Sequence, residues 1–380
     1  MRLHHVRVLG PRGLSMPQTV DVNAEGADDR DATGLVLSPG WMDLHAHLRD
    51  PGFPQKETLL SGATSAAVGG FTHVVAMANT DPVTDRPERL QSLVARSEAL
   101  PIRISFVGAV TIGLEGRQLT DAVALKAAGA VALSDDGRHA MDRATLGRAL
   151  EAASAAGLPV LIHAQAEGLG NGPDAEVAAV TDALDALRNI KGARLHLQHV
   201  STRQAVELIR AAKSDGLAVT AEATPHHLTL TSRDAAAMGP HGNVNPPLRT
   251  ADDRDALRRA LIEGVIDVIA TDHAPHDQAA KQAGANGFHG FETAVSVVLG
   301  LGLTDRVVYR ACVSRPREIA GRSLEEEWIL IDPNAEWTVD ASSFRSRGKN
   351  TAFQGRRLRG HVVMTVCRGQ VVTERVMQHA

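Results

Sequence analysis

Between Trp41 and Ala311 the chain alternates two kinds of hydrophobic pattern. Short apolar, β-branched runs are followed by longer stretches in which Ala, Leu and charged residues recur at helical spacing. The short runs predict strands at 42–46, 73–78, 104–109, 131–134, 160–163, 195–199, 218–221 and 266–271. The stretches 145–156 and 202–214 typify the helices between them. Strands alternating with helices imply a parallel sheet with helical crossovers, and eight such units predict a closed (β/α)8 barrel of the TIM type. An open doubly wound sheet is the alternative, but no Gly-x-Gly-x-x-Gly follows the early strands, so the usual nucleotide site of that fold is missing.

The ends read differently. Short β-like pieces at 2–9 and 35–37 precede the barrel, and others at 328–332, 336–339 and 362–372 follow it. Both termini are expected to pair in one small β domain. The expected division is 1–40 and 323–380 for that domain and 41–322 for the barrel.

Composition narrows the class. With 380 residues and 43% apolar content, the chain is long enough for one large core plus an accessory domain. A net charge of -4 gives no basic surface for nucleic acid. The longest apolar runs, such as 294–303, are short and broken by Gly, so no membrane span is expected. No charged segment followed by a long apolar core opens the chain, so no secretory signal is expected. Two distant cysteines, Cys312 and Cys367, fit a reducing cytoplasm and are too few for a thiolate zinc site.

The chemistry-bearing residues fall at strand ends. Strand alternation puts His45 and His47 on one face at the end of the first strand. Asp135 and Asp136 end the fourth, His163 the fifth and His199 the sixth, while Asp272 and His273 end the eighth and His276 follows. Taken singly, each reads as readily as a capping Asp or a structural His. Together they converge on the rim where barrel enzymes place their catalytic groups. Imidazoles and carboxylates without thiolates suit Zn²⁺ or a similar divalent ion, and their number exceeds one tetrahedral site, which points to two adjacent metals. Such a pair activates water at neutral pH and polarises a carbonyl. His226 and His227 end the seventh strand and are expected to pack or to support other residues.

The longer strings resemble the amidohydrolase superfamily, and within it the type I dihydroorotases. They are Ser38-Pro39-Gly40-Trp41-Met42-Asp43-Leu44-His45-Ala46-His47-Leu48-Arg49-Asp50-Pro51-Gly52, Ser134-Asp135-Asp136-Gly137, His199-Val200-Ser201-Thr202, Thr224-Pro225-His226-His227-Leu228, Asn245-Pro246-Pro247-Leu248-Arg249 and Ala270-Thr271-Asp272-His273-Ala274-Pro275-His276. Lys349-Asn350-Thr351-Ala352-Phe353-Gln354-Gly355 resembles the family's tail. The resemblance implies that His45, His47 and Asp272 hold one zinc, that His163 and His199 hold a second, and that Asp136 and a hydroxide bridge them. It implies that His47, Arg49, Asn79, Asn245, His276 and Gly287 bind dihydroorotate or carbamoyl aspartate, and that Asp272 is the general acid and base. The guanidinium of Arg49 also suits a substrate carboxylate on physical grounds, because it can pair with it bidentately. Many superfamily members bridge their metals with a carboxylated lysine; the stretch 130–137 contains none, which sets the chain apart from hydantoinase-like and allantoinase-like amidases.

A metal-free scaffold for aspartate transcarbamoylase is the rival from another class, and it is disfavoured because every proposed ligand is kept. A homodimer and an association with aspartate transcarbamoylase are both compatible with an active, cytoplasmic enzyme. The chain departs from the family in four places. Ala78 stands where a proline is usual, and Ala164-Gln165-Ala166-Glu167 follows His163 in place of Cys-Glu-Asp. The segment 168–191 is short, and Asn286-Gly287 replaces Phe-Gly. The stretch 277–286 is expected to be either a mobile lid or an ordinary surface loop.

Overall fold

The computed structural model describes residues 1–25, 28–138 and 141–375. The alternating centre of the chain folds into eight parallel strands: β1 (Trp41–Ala46), β2 (Phe71–Ala76), β3 (Arg103–Gly108), β4 (Ala130–Ser134), β5 (Val160–Ile162), β6 (Leu195–Leu197), β7 (Val219–Ala223) and β8 (Val268–Ile269). Each pairs with the next, and the ring is closed where His47 N–H donates to the His273 carbonyl at 2.8 Å, beside a parallel bridge between Ala46 and His273. This is a (β/α)8 barrel. One apolar cluster fills its interior, with Met42 and Leu44 from β1, Val75 from β2, Val107 from β3, Leu161 from β5 and Val268 from β8. Helices including Arg143–Ala155 and Arg203–Ser214 pack outside through a second, larger cluster.

Three strands are shorter than the pattern predicts. β5, β6 and β8 stop before His163, His199 and Asp272. His199 and Asp272 take φ of 33° and 46°, outside the extended region, so the ladder ends there and the side chains leave the strand direction.

Both termini build a second, eight-stranded sheet. Its order runs Gln370–Glu374, Arg357–Cys367, Trp328–Thr338, Val36–Pro39, Arg2–Gly10 and Gly13–Leu14, with Gln18–Asp21 and Asp29–Asp31 also paired to Arg2–Gly10. The pieces at 328–332 and 336–339 are one strand with an irregularity between Asp332 and Glu336. The run at 362–372, in contrast, is two strands. Arg368 and Gly369 both have positive φ, 53° and 75°, the conformation of a tight hairpin turn. Between Trp328–Thr338 and Arg357–Cys367, the segment 340–356 leaves the sheet and reaches the barrel mouth.

Candidate metal centre and substrate pocket

Two groups of buried ligands meet at the C-terminal mouth of the barrel. His45, His47 and Asp136 form one, and Asp136, His163 and His199 the other; within each, the ligand atoms lie within 4.8 Å of one another. Asp136 Oδ2 is 3.3 Å from His45 Nε2 and 3.2 Å from His47 Nε2. Its Oδ1 is 3.7 Å from His163 Nδ1 and 3.5 Å from His199 Nε2. The two carboxylate oxygens therefore face different imidazole pairs. Asp272 stands beside the first group, with Oδ1 3.2 Å from His47 Nε2 and 3.6 Å from His45 Nε2.

The donor set fits a pair of divalent ions. It contains only imidazole and carboxylate donors, and Asp136 Oδ1 is buried with no hydrogen-bond partner. A buried acceptor left unpaired costs about 1–3 kcal/mol, and a cation between it and the His163–His199 pair would remove that cost. The electrostatics agree. Burial disfavours charge on Asp136 and Asp272, yet His45 drives both carboxyls below their ordinary range. Burial likewise opposes charge on His45, but Asp136, Glu222 and Asp272 raise it well above the usual imidazole value. The carboxylates thus demand positive charge at this point, which protons or a metal with neutral imidazoles can supply.

Residues behind the ligands fix their orientation. Glu222, on β7, is wholly buried; its Oε1 accepts from His45 Nδ1 at 2.5 Å and from the His199 N–H at 3.1 Å, and its Oε2 accepts from His196 Nε2 at 3.0 Å. Burial would raise this carboxyl, but His45 and His196 hold it down at about 2. Gln165 Oε1 faces His163 Nε2 at 2.8 Å and accepts from Asn245 Nδ2 at the same distance. Ser134 Oγ takes the Asp136 N–H at 3.0 Å. Glu222 and Gln165 escape a reading based on strand ends. The available signal was an acid inside the apolar run Val219–Ala223 and a polar residue two positions after His163.

A cavity of about 230 Å³ opens beside this centre, and His47, Arg49, Asn79, Asn245, His276 and Gly287 all line it. Arg49 is the distinctive member. It makes no ion pair among the described residues, its Nε is buried without a partner, and burial lowers its guanidinium below the ordinary value. His276 Nε2 lies 3.5 Å from Arg49 Nη2 but 2.8 Å from the Asn286 carbonyl, so its proton goes to that carbonyl and leaves Arg49 unsatisfied. Asn245 Oδ1 and His276 Nδ1 are buried and unpartnered as well. Asn79 lines the cavity while its Oδ1 accepts from His47 Nδ1 at 2.9 Å and orients that imidazole. Gly287 has φ of 132°, and a Cβ there would come 2.6 Å from the Ala274 Cβ, so the backbone approaches the pocket as no other residue could.

The remaining candidates stand apart. Asp135 accepts from Val110 N–H at 2.8 Å and Thr111 N–H at 3.0 Å and pins the neighbouring loop. His273 pairs with Glu57 at 3.2 Å and stacks on Phe291 at 3.9 Å. His227 bridges Thr224 Oγ1 and the Pro246 carbonyl, while His226 packs edge-on against Phe288. The stretch 277–286 contains a short helix, Gln278–Gln282, and its end walls the pocket. Cys312 and Cys367 are free and buried, and no described helix is long and apolar enough to cross a membrane.

The family model described as Dihydro-orotase-like matches residues 34–219. A dihydroorotase of Anaeromyxobacter dehalogenans (strain 2CP-C) is 44% identical, over 90% of this chain and 88% of the relative. One of Thermus aquaticus is 38% identical over 96% of both. Among solved structures, the L-hydantoinase (dihydropyrimidinase) from Arthrobacter aurescens superposes with a TM-score of 0.89 at 25% identity, covering 100% of this chain and 97% of that one. A D-hydantoinase (dihydropyrimidinase) from Thermus sp. gives 0.82 at 20%, covering 97% and 94%. The fold is thus shared with hydantoinases (dihydropyrimidinases), whereas these curated relatives, at high identity and coverage, are dihydroorotases, and the chain belongs to the dihydroorotase family.

Proposed function

We propose that this chain interconverts (S)-dihydroorotate and N-carbamoyl-L-aspartate, the ring-closing step of pyrimidine synthesis, with two zinc ions held by His45, His47, Asp136, Asp272, His163 and His199. The observation that carries the reading is Arg49: a half-buried guanidinium with a buried, unpartnered Nε and no carboxylate partner among the described residues, on the wall of a small cavity beside two imidazole–carboxylate groups. Such a group calls for an anionic ligand, and both proposed substrates carry a carboxylate that a guanidinium fork grips bidentately. When bound, divalent ions at this mouth supply positive charge that acidifies water and polarises the scissile carbonyl.

The chain's own residues do the rest. Arg49 fixes the substrate carboxylate, and Asn245 Oδ1 offers an acceptor to a ring N–H. Asp272, held ionised beside His45 and His47, takes the proton of the attacking water and returns it to the departing ring nitrogen. In the biosynthetic direction the same carboxylate takes the proton from the attacking nitrogen and delivers it to the leaving water. Asp136, where hydantoinase-like enzymes are expected to use a modified lysine, favours this reading over a hydantoin-cleaving one. The test is a substrate panel with purified, zinc-supplemented protein. Turnover of dihydroorotate and carbamoyl aspartate is expected, with hydantoins and allantoin at least a hundredfold poorer in kcat/KM. Preference for a hydantoin, or no turnover of either expected substrate, would overturn it.

A further inference from the structure

One wall of the pocket, carrying Asn245, His276 and Gly287, is held from behind by two side chains that do not line the pocket. Asn350 belongs to the segment that reaches over from the terminal sheet. Its Oδ1 accepts the His276 N–H at 2.8 Å, its Nδ2 donates to the Gly287 carbonyl at 2.9 Å, and its own carbonyl accepts the His289 N–H at 2.8 Å. Lys281 is fully buried and makes no ion pair among the described residues. Its Nζ donates to the carbonyls of Asn243 (2.5 Å), Ala285 (2.9 Å) and Gly287 (2.8 Å), and it sits 4.8 Å from the Phe288 ring centroid. The Gly287 N–H in turn donates to the Asn243 carbonyl at 3.1 Å.

These bonds converge on three stretches: His276, Gly287, and the backbone two residues before Asn245. Each supplies a residue that lines the cavity. Burying an ammonium without a carboxylate is costly, and burial pulls Lys281 down to about 8. Outer groups that lock a binding wall set how much of the intrinsic affinity is realised, because a loose wall must be ordered by the ligand.

We propose that Lys281 and Asn350 are positioning residues that set substrate affinity in this enzyme by fixing the backbone of Asn245, His276 and Gly287. The proposal rests on the dihydroorotase reading and deepens it. Neither residue touches the substrate or the metal ligands, so both act on KM and leave kcat nearly intact.

The test uses the full-length, zinc-loaded protein and the variants Asn350→Ala and Lys281→Met, with the double variant. Each single change is expected to raise KM for dihydroorotate about tenfold, the equivalent of one lost hydrogen bond of about 1.4 kcal/mol. A kcat within threefold of wild type and unchanged zinc content are expected alongside. Because both side chains share the Gly287 carbonyl, the double variant should fall short of the product of the single effects. Restoring the amide in Asn350→Gln, even with imperfect reach, should recover part of the loss. Unchanged KM in both folded single variants overturns the proposal, as does a fall in kcat or zinc content with KM constant. If one variant fails to fold, the other decides by the same KM criterion. Wild-type protein inactive on dihydroorotate would instead defeat the functional reading, so the two failures are distinct.

Discussion

Replacing Glu222 by Gln is the most informative single perturbation of the centre, because this carboxylate contacts no candidate substrate residue yet supports both metal groups. It accepts from His45 Nδ1, from His196 Nε2 and from the His199 N–H. Glutamine has the same shape but one acceptor oxygen in place of two, so three donors compete for it, and its NH2 must face an imidazole nitrogen. His45 then loses the anion that fixes its tautomer, and the turn carrying His199 loses an anchor. Outer partners of metal-bound histidines are worth 10–100-fold in metal affinity, or about 1.4–2.7 kcal/mol. Since one ligand of each group is affected, the expected loss is in that range at each site. Competition with a chromophoric chelator, on metal-stripped wild type and Glu222→Gln, reads both affinities, and circular dichroism verifies that the variant is folded. Equal zinc affinities, within twofold, in folded protein would refute the reasoning.

Other consequences follow from the same geometry. Arg49→Met removes a charged, bidentate partner and should lower kcat/KM for dihydroorotate about 30- to 150-fold, chiefly through KM, in steady-state kinetics. Arg49→Lys should recover only part of this, because an ammonium cannot form the two-pronged pair. Asp272→Asn should retain zinc, measured by atomic emission, while kcat falls by about 10²–10⁴; near-normal turnover would remove Asp272 as the proton carrier. Far from the site, burial, together with nearby Arg317, Arg322 and Arg103, lowers His73 to about 3. The unfolded chain then binds a proton near pH 6.5 that the folded chain refuses. The resulting stability is fully present above pH 6.5 and is lost as pH falls toward 3, at about 1.4 kcal/mol per unit. Urea titrations at pH 7 and pH 5 should show a drop about 2 kcal/mol smaller in His73→Gln than in wild type; equal drops would count against it.

The barrel was legible because both of its periodicities are strong. Buried parallel strands are continuous apolar runs, and the helices between them carry helical spacing. The metal candidates were legible because strand ends in such a barrel converge on one mouth, so residues as distant as His45 and Asp272 needed only their positions within their elements. Three kinds of feature were not. The turn at Arg368 and Gly369 is a brief polar break, Arg368-Gly369-Gln370, between two apolar runs, short enough for the whole stretch to read as one strand. Glu222 and Gln165 act through other side chains, and such contacts have no fixed spacing in sequence. Lys281 reads as a surface residue in an Ala-rich stretch; only tertiary packing brings three carbonyls around it.

The central claim is that Asp136 joins two imidazole pairs around two cations. Anomalous diffraction across the zinc absorption edge, on crystals of the zinc-supplemented protein, tests it directly. The account predicts two zinc peaks, one against His45, His47 and Asp136 and the other against Asp136, His163 and His199, with a carboxylate oxygen of Asp136 on each. Crystals in which those side chains surround no anomalous scatterer, or in which zinc binds elsewhere, would contradict it.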